Sequence, residues 1–180
     1  MRELKVKLED LADAFDFGSD EIAYYLDRET GEVVMVTDDA RQQIKKLLGA
    51  KEAQTAETAR EAIRAAELPD WDKEAMYAAA AVKWADRGRF LKVPQVTPGE
   101  SYQEMADFVE TVSDERVQMR LFDAIRGKGA FRRFKDTLAR YPEERERWFK
   151  YRDARTRERG LNWLREKKIQ VIETDGEQQG

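Results

Sequence analysis

The chain has 180 residues, of which 41% are hydrophobic and 39% charged, and its formal net charge is −4. A chain of this length can bury a core of its own, and its hydrophobic content is that of a globular protein. The absence of Cys and His excludes disulfide bonds, thiolate or imidazole metal ligands, and Ser-His-Asp or Cys-His catalysis. Neither a signal peptide nor a membrane span of roughly 20 apolar residues is present, so we expect a cytoplasmic protein without a cofactor or a metal site.

The first elements predicted from the chain are a short strand, a brief helix and a β-hairpin. Alternating and then helical apolar spacing predicts the strand and helix within residues 4–15. Residues 22–26 and 33–37 are rich in β-branched and aromatic side chains, and Gly31 lies in the loop between them. Glycine supplies the positive φ that a hairpin loop needs, so these two runs are predicted to pair.

A helix capped by Thr37 should follow the hairpin, with Ile44, Leu47 and Leu48 on its buried side. Residues 49–67 are rich in Ala, Glu, Gln and Thr and have few large aliphatic side chains. Good helix propensity without a wide apolar stripe predicts an exposed helix or an inserted segment there.

Asp70 is the predicted N-cap of a helix that extends through Arg87 and is apolar around most of its circumference. Such a helix is expected to be buried, so it is the predicted central helix of the core. Residues 90–94 predict a short strand, which Pro94 should confine to the edge of a sheet.

The C-terminal half is predicted to be helical. A turn is expected at residues 98–100, and a cap at Ser113 or Asp114 between the first two helices. Apolar residues then recur at helical spacing within residues 102–112, 117–125, 131–141 and 142–164.

The remaining predictions concern a polar run within the last helix and the C-terminal end of the chain. The polar run at residues 155–160 should bulge into solvent, residues 169–173 should form a closing strand, and residues 174–180 should be disordered. The sequence therefore predicts a mostly helical α+β protein with a single domain over residues 1–173. Its small antiparallel sheet would contain the hairpin and one or two short strands.

Three blocks of the sequence form a recognisable set: Tyr-Leu-Asp-Arg-Glu-Thr-Gly-Glu-Val-Val at residues 25–34, Leu-Pro-Asp-Trp at residues 68–71, and Ala-Ile-Arg-Gly-Lys-Gly-Ala-Phe-Arg-Arg-Phe-Lys-Asp at residues 124–136. Together with Trp-Phe-Lys-Tyr-Arg at residues 148–152, they resemble the bacterial uncharacterised protein family 0158. The Ala-rich segment departs from the pattern of that family, which is shorter there. The resemblance implies a fold-level grouping but no catalytic residues.

Charge is divided unequally along the chain. Residues 116–168 contain 18 Lys and Arg against 8 Asp and Glu, an excess of 10 positive charges, whereas the rest of the chain has 15 against 29. Such asymmetry is typical of nucleic-acid-binding regions. The alternative is that the acidic and basic halves neutralise each other or form solvated helix faces.

The most specific candidate site is the segment with Gly127, Lys128 and Gly129 at a predicted helix start, followed by Arg132 and Arg133. Backbone N–H groups of such a turn, the helix dipole and these cations favour an anion. The spacing is not that of a Walker A loop. The structural alternative is a glycine-capped corner between helices, with Phe131 and Phe134 in the core.

A second group of candidates lies on the last helix, where Arg152 and Arg155 are close to Trp148 and Tyr151. Cations beside aromatic rings suit phosphates and bases. The alternative is that the aromatic residues are core residues and that the arginines pair with carboxylates.

Catalysis is not expected from this sequence, because the carboxylate pairs Asp38 and Asp39, and Asp70 and Asp72, each lie at a predicted helix start, where capping explains them. We therefore predict non-catalytic binding of an anionic partner, with nucleic acid preferred over an acidic protein and no membrane contact. The other hypothesis is a protein-interaction or regulatory module that associates, also with itself as a homo-oligomer, through its acidic and basic halves.

Overall fold

The structure is a computed structural model that describes residues 1–49 and 55–172. This part of the chain is mostly helical and contains a small antiparallel sheet, so the predicted α+β class is confirmed. The predicted disordered tail lies outside the described residues. The elements are, in order, β1 (Arg2–Leu4), α1 (Leu8–Phe17), β2 (Ile22–Asp27), β3 (Val33–Thr37), α2 (Asp38–Leu48), α3 (Ala56–Ala65), α4 (Asp70–Lys83), β4 (Phe90–Lys92), α5 (Pro98–Glu110), α6 (Glu115–Ala124), α7 (Ala130–Leu138), α8 (Pro142–Glu166) and β5 (Ile169–Val171).

Backbone contacts divide the chain into two compact units. The first unit contains residues 1–95 and the chain from residue 160 onward, and the second unit contains residues 96–159. Each unit is described by itself below. The single domain expected over residues 1–173 stays a prediction.

The first unit contains both sheets. The hairpin of β2 and β3 is confirmed, with Tyr25 opposite Val34, and β4 adds to the other side of β2 in the order β3-β2-β4. The prediction that residues 90–94 lie at a sheet edge is therefore confirmed. The closing strand is different: β5 pairs in parallel with β1, with Arg2 opposite Ile169, in a separate two-stranded sheet. Periodicity revealed this strand but gave no information about its distant partner.

An ion pair ties the hairpin loop to the chain before β4. Asp27 is buried, and its carboxylate accepts hydrogen bonds from Arg89 Nε and Nη2 at 3.1 and 2.8 Å and from the Glu29 N–H at 2.9 Å. Burial raises the pKa of Asp27, but these hydrogen bonds and the nearby guanidinium outweigh that effect and hold the pKa below its usual value. This buried carboxylate is thereby satisfied and stays charged.

The helices of the first unit pack through narrow apolar faces. The Thr37 side chain caps α2 by accepting a hydrogen bond from the Ala40 N–H, as predicted. Ile44 is buried and Leu48 is partly buried, but Leu47 is exposed, contrary to the prediction. Adjacent positions on a helix are about 100° apart, so a narrow packing face takes only one of two neighbouring leucines.

The Ala-rich segment packs more closely than its composition indicates. Ala59 and Ile63 on α3 are fully buried and belong to the same cluster as Ile44 and Met76. Residues 55–65 are therefore not the exposed helix that we expected, because small side chains let two helices approach each other closely. Residues 50–54 lie outside the described part, and the alternative of an inserted segment stays a prediction.

Helix α4 is buried on one side only, although the sequence predicted burial all round. Met76, Ala79 and Ala80 are buried, whereas the side of α4 that carries Trp71 is exposed. Asp70 is the first helical residue and Pro69 the N-cap, so the predicted cap is also corrected by one position. Alanine is compatible with an exposed helix face, and a run of it therefore overstates burial.

The second unit begins with a helix where a turn was predicted. Pro98 is the first residue of α5, and a capping box joins Thr97 and Glu100 through both side chains. The Thr97 N–H bond to the Glu100 carboxylate lowers the pKa of Glu100. Proline at the first helical position suits a helix start as well as a turn, which explains the wrong prediction.

An aromatic cluster forms the core of the second unit. Phe108 contacts the rings of Phe134, Trp148 and Tyr151, with centroid distances between 5.2 and 6.4 Å. Leu121, Ile125 and Leu138 complete the buried cluster. Trp148 and Tyr151 are partly buried and pack against this core, which agrees with the structural alternative considered for the last helix.

Helix α5 and the part of α8 that belongs to this unit, up to Arg159, are antiparallel and are linked by side-chain contacts. Helix α8 continues through the polar run at residues 155–160, so the predicted bulge is wrong. The Thr156 side chain within that run is buried and donates to the Arg152 carbonyl. The contacts pair Arg147 with Thr111, Trp148 with Phe108, Arg155 with Asp107, and Arg159 with Glu104.

Candidate functional site

The Gly-Lys-Gly turn joins α6 to α7 and depends on two left-handed glycines. Gly127 has φ of 69° and Gly129 has φ of 75°, which side-chain-bearing residues rarely adopt. A Cβ at Gly127 would meet no atom within 4 Å, so backbone conformation rather than packing requires glycine there. Gly129 is the N-cap of α7 and leaves the first N–H groups of this helix without a side-chain cap.

The Arg133 side chain donates hydrogen bonds to backbone carbonyls in and before this turn. Its Nε donates to the carbonyl of Ala124 at 2.9 Å, and its two terminal nitrogens donate to the carbonyls of Lys128 and Arg126. Carbonyl groups after the end of a helix need such donors. Arg133 was predicted to bind an anion, but its guanidinium is engaged by the backbone, and we leave it out of the candidate site.

The remaining cations of the segment are exposed, and so is an aromatic ring that lies among them in sequence. Phe131 is 49% exposed, although helical spacing predicted it in the core; Ala130, Phe134 and Leu138 form the buried side of α7 instead. Lys128, Arg132 and Lys135 are exposed as well. The Arg132 side chain is 90% exposed and has only a long contact of 3.9 Å with Asp136. We call Lys128, Phe131, Arg132 and Lys135 the α7 basic face.

The two arginines predicted on the last helix have different surroundings. Arg155 contacts the Asp107 carboxylate at 3.4 Å and lies over the Tyr151 ring, 5.9 Å from its centroid. Burial raises the pKa of Tyr151, which keeps its hydroxyl neutral. Arg152 is exposed on α8. Arg155 thus pairs with a carboxylate, as in the structural alternative considered for the last helix.

A shallow groove of about 580 Å³ lies between α6 and α7, and the sequence did not predict it. Arg120 donates from Nη1 to the Tyr141 hydroxyl at 2.8 Å. The sequence signal near this site was the position of Arg133, Asp136 and Arg140 opposite the apolar side of the predicted helix over residues 131–141, although Arg140 lies beyond the end of α7 in the structure. The polar side chains that line the groove are those of Arg120, Asp123, Arg133, Asp136, Thr137 and Arg140.

The acidic pairs lie at the starts of helices, where capping and the helix dipole explain the presence of carboxylates. Asp38 pairs with Arg41 at 3.0 Å, and Asp39 accepts from Gln43 at 2.7 Å, both in α2. Within residues 1–49 and 55–172, acidic side chains do not gather in groups of three or more that could hold a metal ion. No helix in the same ranges is both long and apolar enough to cross a membrane.

Comparison with known proteins assigns the chain to a protein family. The model of the Uncharacterised protein family (UPF0158) matches residues 65–178, which include the whole of the second unit. The chain belongs to this family. UPF0158 protein PA5073 of Pseudomonas aeruginosa is 25% identical over 170 residues, covering 94% of this chain and 88% of its own. No solved structure matches. The resemblance predicted from the sequence blocks is confirmed, and the description of UPF0158 assigns no activity to the site.

Proposed function

We propose that this UPF0158 protein is a non-catalytic binding protein whose partner is a nucleic acid, contacted as a single strand by the α7 basic face. The observation that carries the proposal is the exposure of Phe131 among three cations. An isolated exposed apolar side chain is ordinary on a protein surface. An exposed ring between cations has the two components of single-strand binding: a surface on which a base stacks, and charges for the adjoining phosphates.

The positions of these side chains on α7 support this proposal. Phe131 and Lys135 are four residues apart, so they are neighbours on one face of the helix, and Arg132 is next to them. Lys128 lies one turn earlier in the glycine turn. No side-chain hydrogen bond engages Lys128 or Lys135 within the described part of the chain. Their charges are therefore available to a partner.

Charge neutralisation within the second unit limits the interface to this face. Arg147, Arg155 and Arg159 all pair with carboxylates. A guanidinium engaged in this way contributes little to the release of counterions from a nucleic acid. The basic half is thus partly neutralised. Phe149 on α8 is also exposed, but Arg145 already lies over its ring at 5.3 Å from the centroid, whereas the cations near Phe131 in sequence are exposed.

The test is binding of fluorescent oligothymidylate and oligouridylate, measured by anisotropy across a salt series. We expect affinity to fall with salt, and the logarithmic slope to decrease by roughly 0.7 for each phosphate contact removed in Lys128→Gln and Lys135→Gln. Phe131→Ala should weaken binding by about tenfold or more, because a stacked base contributes about 1–3 kcal/mol.

The matched control is Trp71→Ala, which removes an exposed aromatic residue that lies between Asp70 and Asp72. This variant should bind like the unmodified protein. Absence of binding at low salt, or an equal loss in Phe131→Ala and Trp71→Ala, would refute the proposal.

A second candidate function is self-association, and the exposure of Trp71 favours it. This residue is 72% exposed at the start of α4. Exposed Trp residues are enriched among the contacts that dominate protein interfaces. An acidic aromatic patch on one copy complements the α7 basic face of another in charge. Light scattering across protein and salt concentration tests it: the mass should rise at low salt, and Trp71→Ala should abolish that rise.

A further inference from the structure

We infer that the groove between α6 and α7 holds a backbone phosphate of the strand that stacks on Phe131. This inference rests on the proposed function and extends it from one stacked base to a path along the protein. The groove is shallow and concave, lies in the same unit as the α7 basic face, and is lined by the guanidinium groups of Arg120 and Arg140 in addition to that of Arg133, which the backbone engages. Concave basic surfaces concentrate anions more than flat ones do.

Three donors in the groove are open to an anion. Arg120 uses one terminal nitrogen on the Tyr141 hydroxyl, which orients its guanidinium and leaves its other N–H groups available. The side chain of Arg140 has no hydrogen bond or ion pair within residues 1–49 and 55–172, and the Thr137 hydroxyl has none there either. Two planar guanidinium groups and a hydroxyl match the oxygens of a phosphate.

The carboxylates in the groove determine which phosphate it accepts. Asp123 lies 3.8 Å from Arg126, and Asp136 lies 3.9 Å from Arg132, so each carboxylate is partly neutralised. Both remain largely exposed, and they repel an additional negative charge. A phosphodiester carries one charge and a terminal phosphate carries up to two, so the groove favours the diester of a strand.

The surface of α7 connects the two contacts. Successive residues advance about 100° around a helix, so the exposed side runs from Phe131 past Arg132 and Asp136 toward the groove. From Phe131 to Thr137, a groove residue near the end of α7, the rise along the helix is about 9 Å at 1.5 Å per residue, in addition to the arc around the helix. A strand of a few nucleotides covers that distance, with Arg132 in contact with the phosphate between.

The experiment compares Arg140→Gln and the double variant Arg120→Gln/Arg140→Gln with the unmodified protein. The probes are an oligothymidylate of about ten nucleotides, within the common range of single-strand site sizes, a dinucleotide and inorganic phosphate. The control Arg60→Gln/Arg64→Gln removes two exposed arginines from α3 and changes the net charge equally. Arg140→Gln is the main variant, because its side chain has no partner in the described residues and its loss leaves folding intact.

We expect the double variant to bind the long oligonucleotide about tenfold more weakly, with a salt slope smaller by roughly 1.4, which corresponds to two lost contacts. The single variant should show about half of that change in slope. Binding of the dinucleotide, which reaches only Phe131, should be unchanged, and so should binding of the long oligonucleotide by the control.

Two results would overturn the inference. If Phe131→Ala weakens binding but both groove variants bind the long oligonucleotide normally, the groove plays no part and the proposed function stands. If inorganic phosphate binds through Arg120 and Arg140 while no oligonucleotide binds, the groove takes a free anion and the proposed function fails as well.

Discussion

Arg132 and Arg133 are adjacent arginines, but replacing each by glutamine should have a different effect. We expect Arg133→Gln to lower the stability of the protein and Arg132→Gln to weaken binding. Arg133→Gln removes the guanidinium that donates to the carbonyls of Ala124, Arg126 and Lys128. A net hydrogen bond contributes about 0.5–1.5 kcal/mol, and exposed ones lie at the low end of that range. The three together therefore stabilise the turn by about 1.5–2.5 kcal/mol.

Urea unfolding followed by circular dichroism measures this effect. A loss of about 2 kcal/mol should lower the midpoint by about 1 M, because m-values for small proteins are about 1–3 kcal/mol per molar urea. Arg133→Lys should recover only part of the loss, since an ammonium cannot reach three divergent carbonyls. The matched control, Arg132→Gln, should leave the midpoint unchanged and weaken oligonucleotide binding. An unchanged midpoint in Arg133→Gln combined with weaker binding would show that Arg133 is a ligand, and would refute the reasoning.

Three further predictions concern the first unit. Asp27→Asn should lower the free energy of unfolding at neutral pH by about 1–3 kcal/mol. The folded pKa of Asp27 lies below 3.8, so this stabilisation exists above about pH 4 and is lost as the pH falls through the folded pKa. Denaturation curves of the two proteins should therefore converge in acid. Ile63→Ala should cost about 3 kcal/mol in urea unfolding, whereas a loosely attached α3 would show less than about 1 kcal/mol. Gly31→Ala should lower the melting temperature more than Gly88→Ala, because both have positive φ but only a Cβ at Gly31 would lie 2.0 Å from the Lys5 carbonyl oxygen; equal shifts would contradict this.

Local signals in the sequence predicted local structure. The hairpin around Gly31, the Thr37 cap and the left-handed Gly127 each depend on residues within a few positions of one another, and all three are present. Signals of this kind are encoded in the chemistry of a short segment. The class of the fold and the family resemblance followed from them.

Features that depend on distant partners could not be predicted in this way. The polar run at residues 155–160 looked like a bulge because its carboxylate partners, Asp107 and Glu104, are about 50 positions away in sequence. The partner of β5 was equally remote.

The candidate site illustrates the same limit. Phe131 and Phe134 both fit a helical stripe, and only the packing of α7 determined that Phe134 is buried and Phe131 exposed. The predicted burial of Phe131 is therefore wrong, and Arg133 donates to backbone carbonyls, while binding of an anion by this segment stays a prediction. Roles of single side chains depend on how the helix is rotated, and a pattern of spacing leaves that rotation open by tens of degrees.

The contacts between α5 and α8 also define the alignment of these two helices. Apolar burial around Phe108 tolerates more than one axial position, since the hydrophobic effect is non-directional. The pairs of Arg155 with Asp107 and Arg159 with Glu104 do not, because sliding α8 by one turn in either direction would leave one of these two carboxylates without a guanidinium. We infer that these pairs select one register for the helix pair. Replacing Glu104 and Arg159 together by leucine would then give a second unit of equal or greater stability that populates more than one alignment.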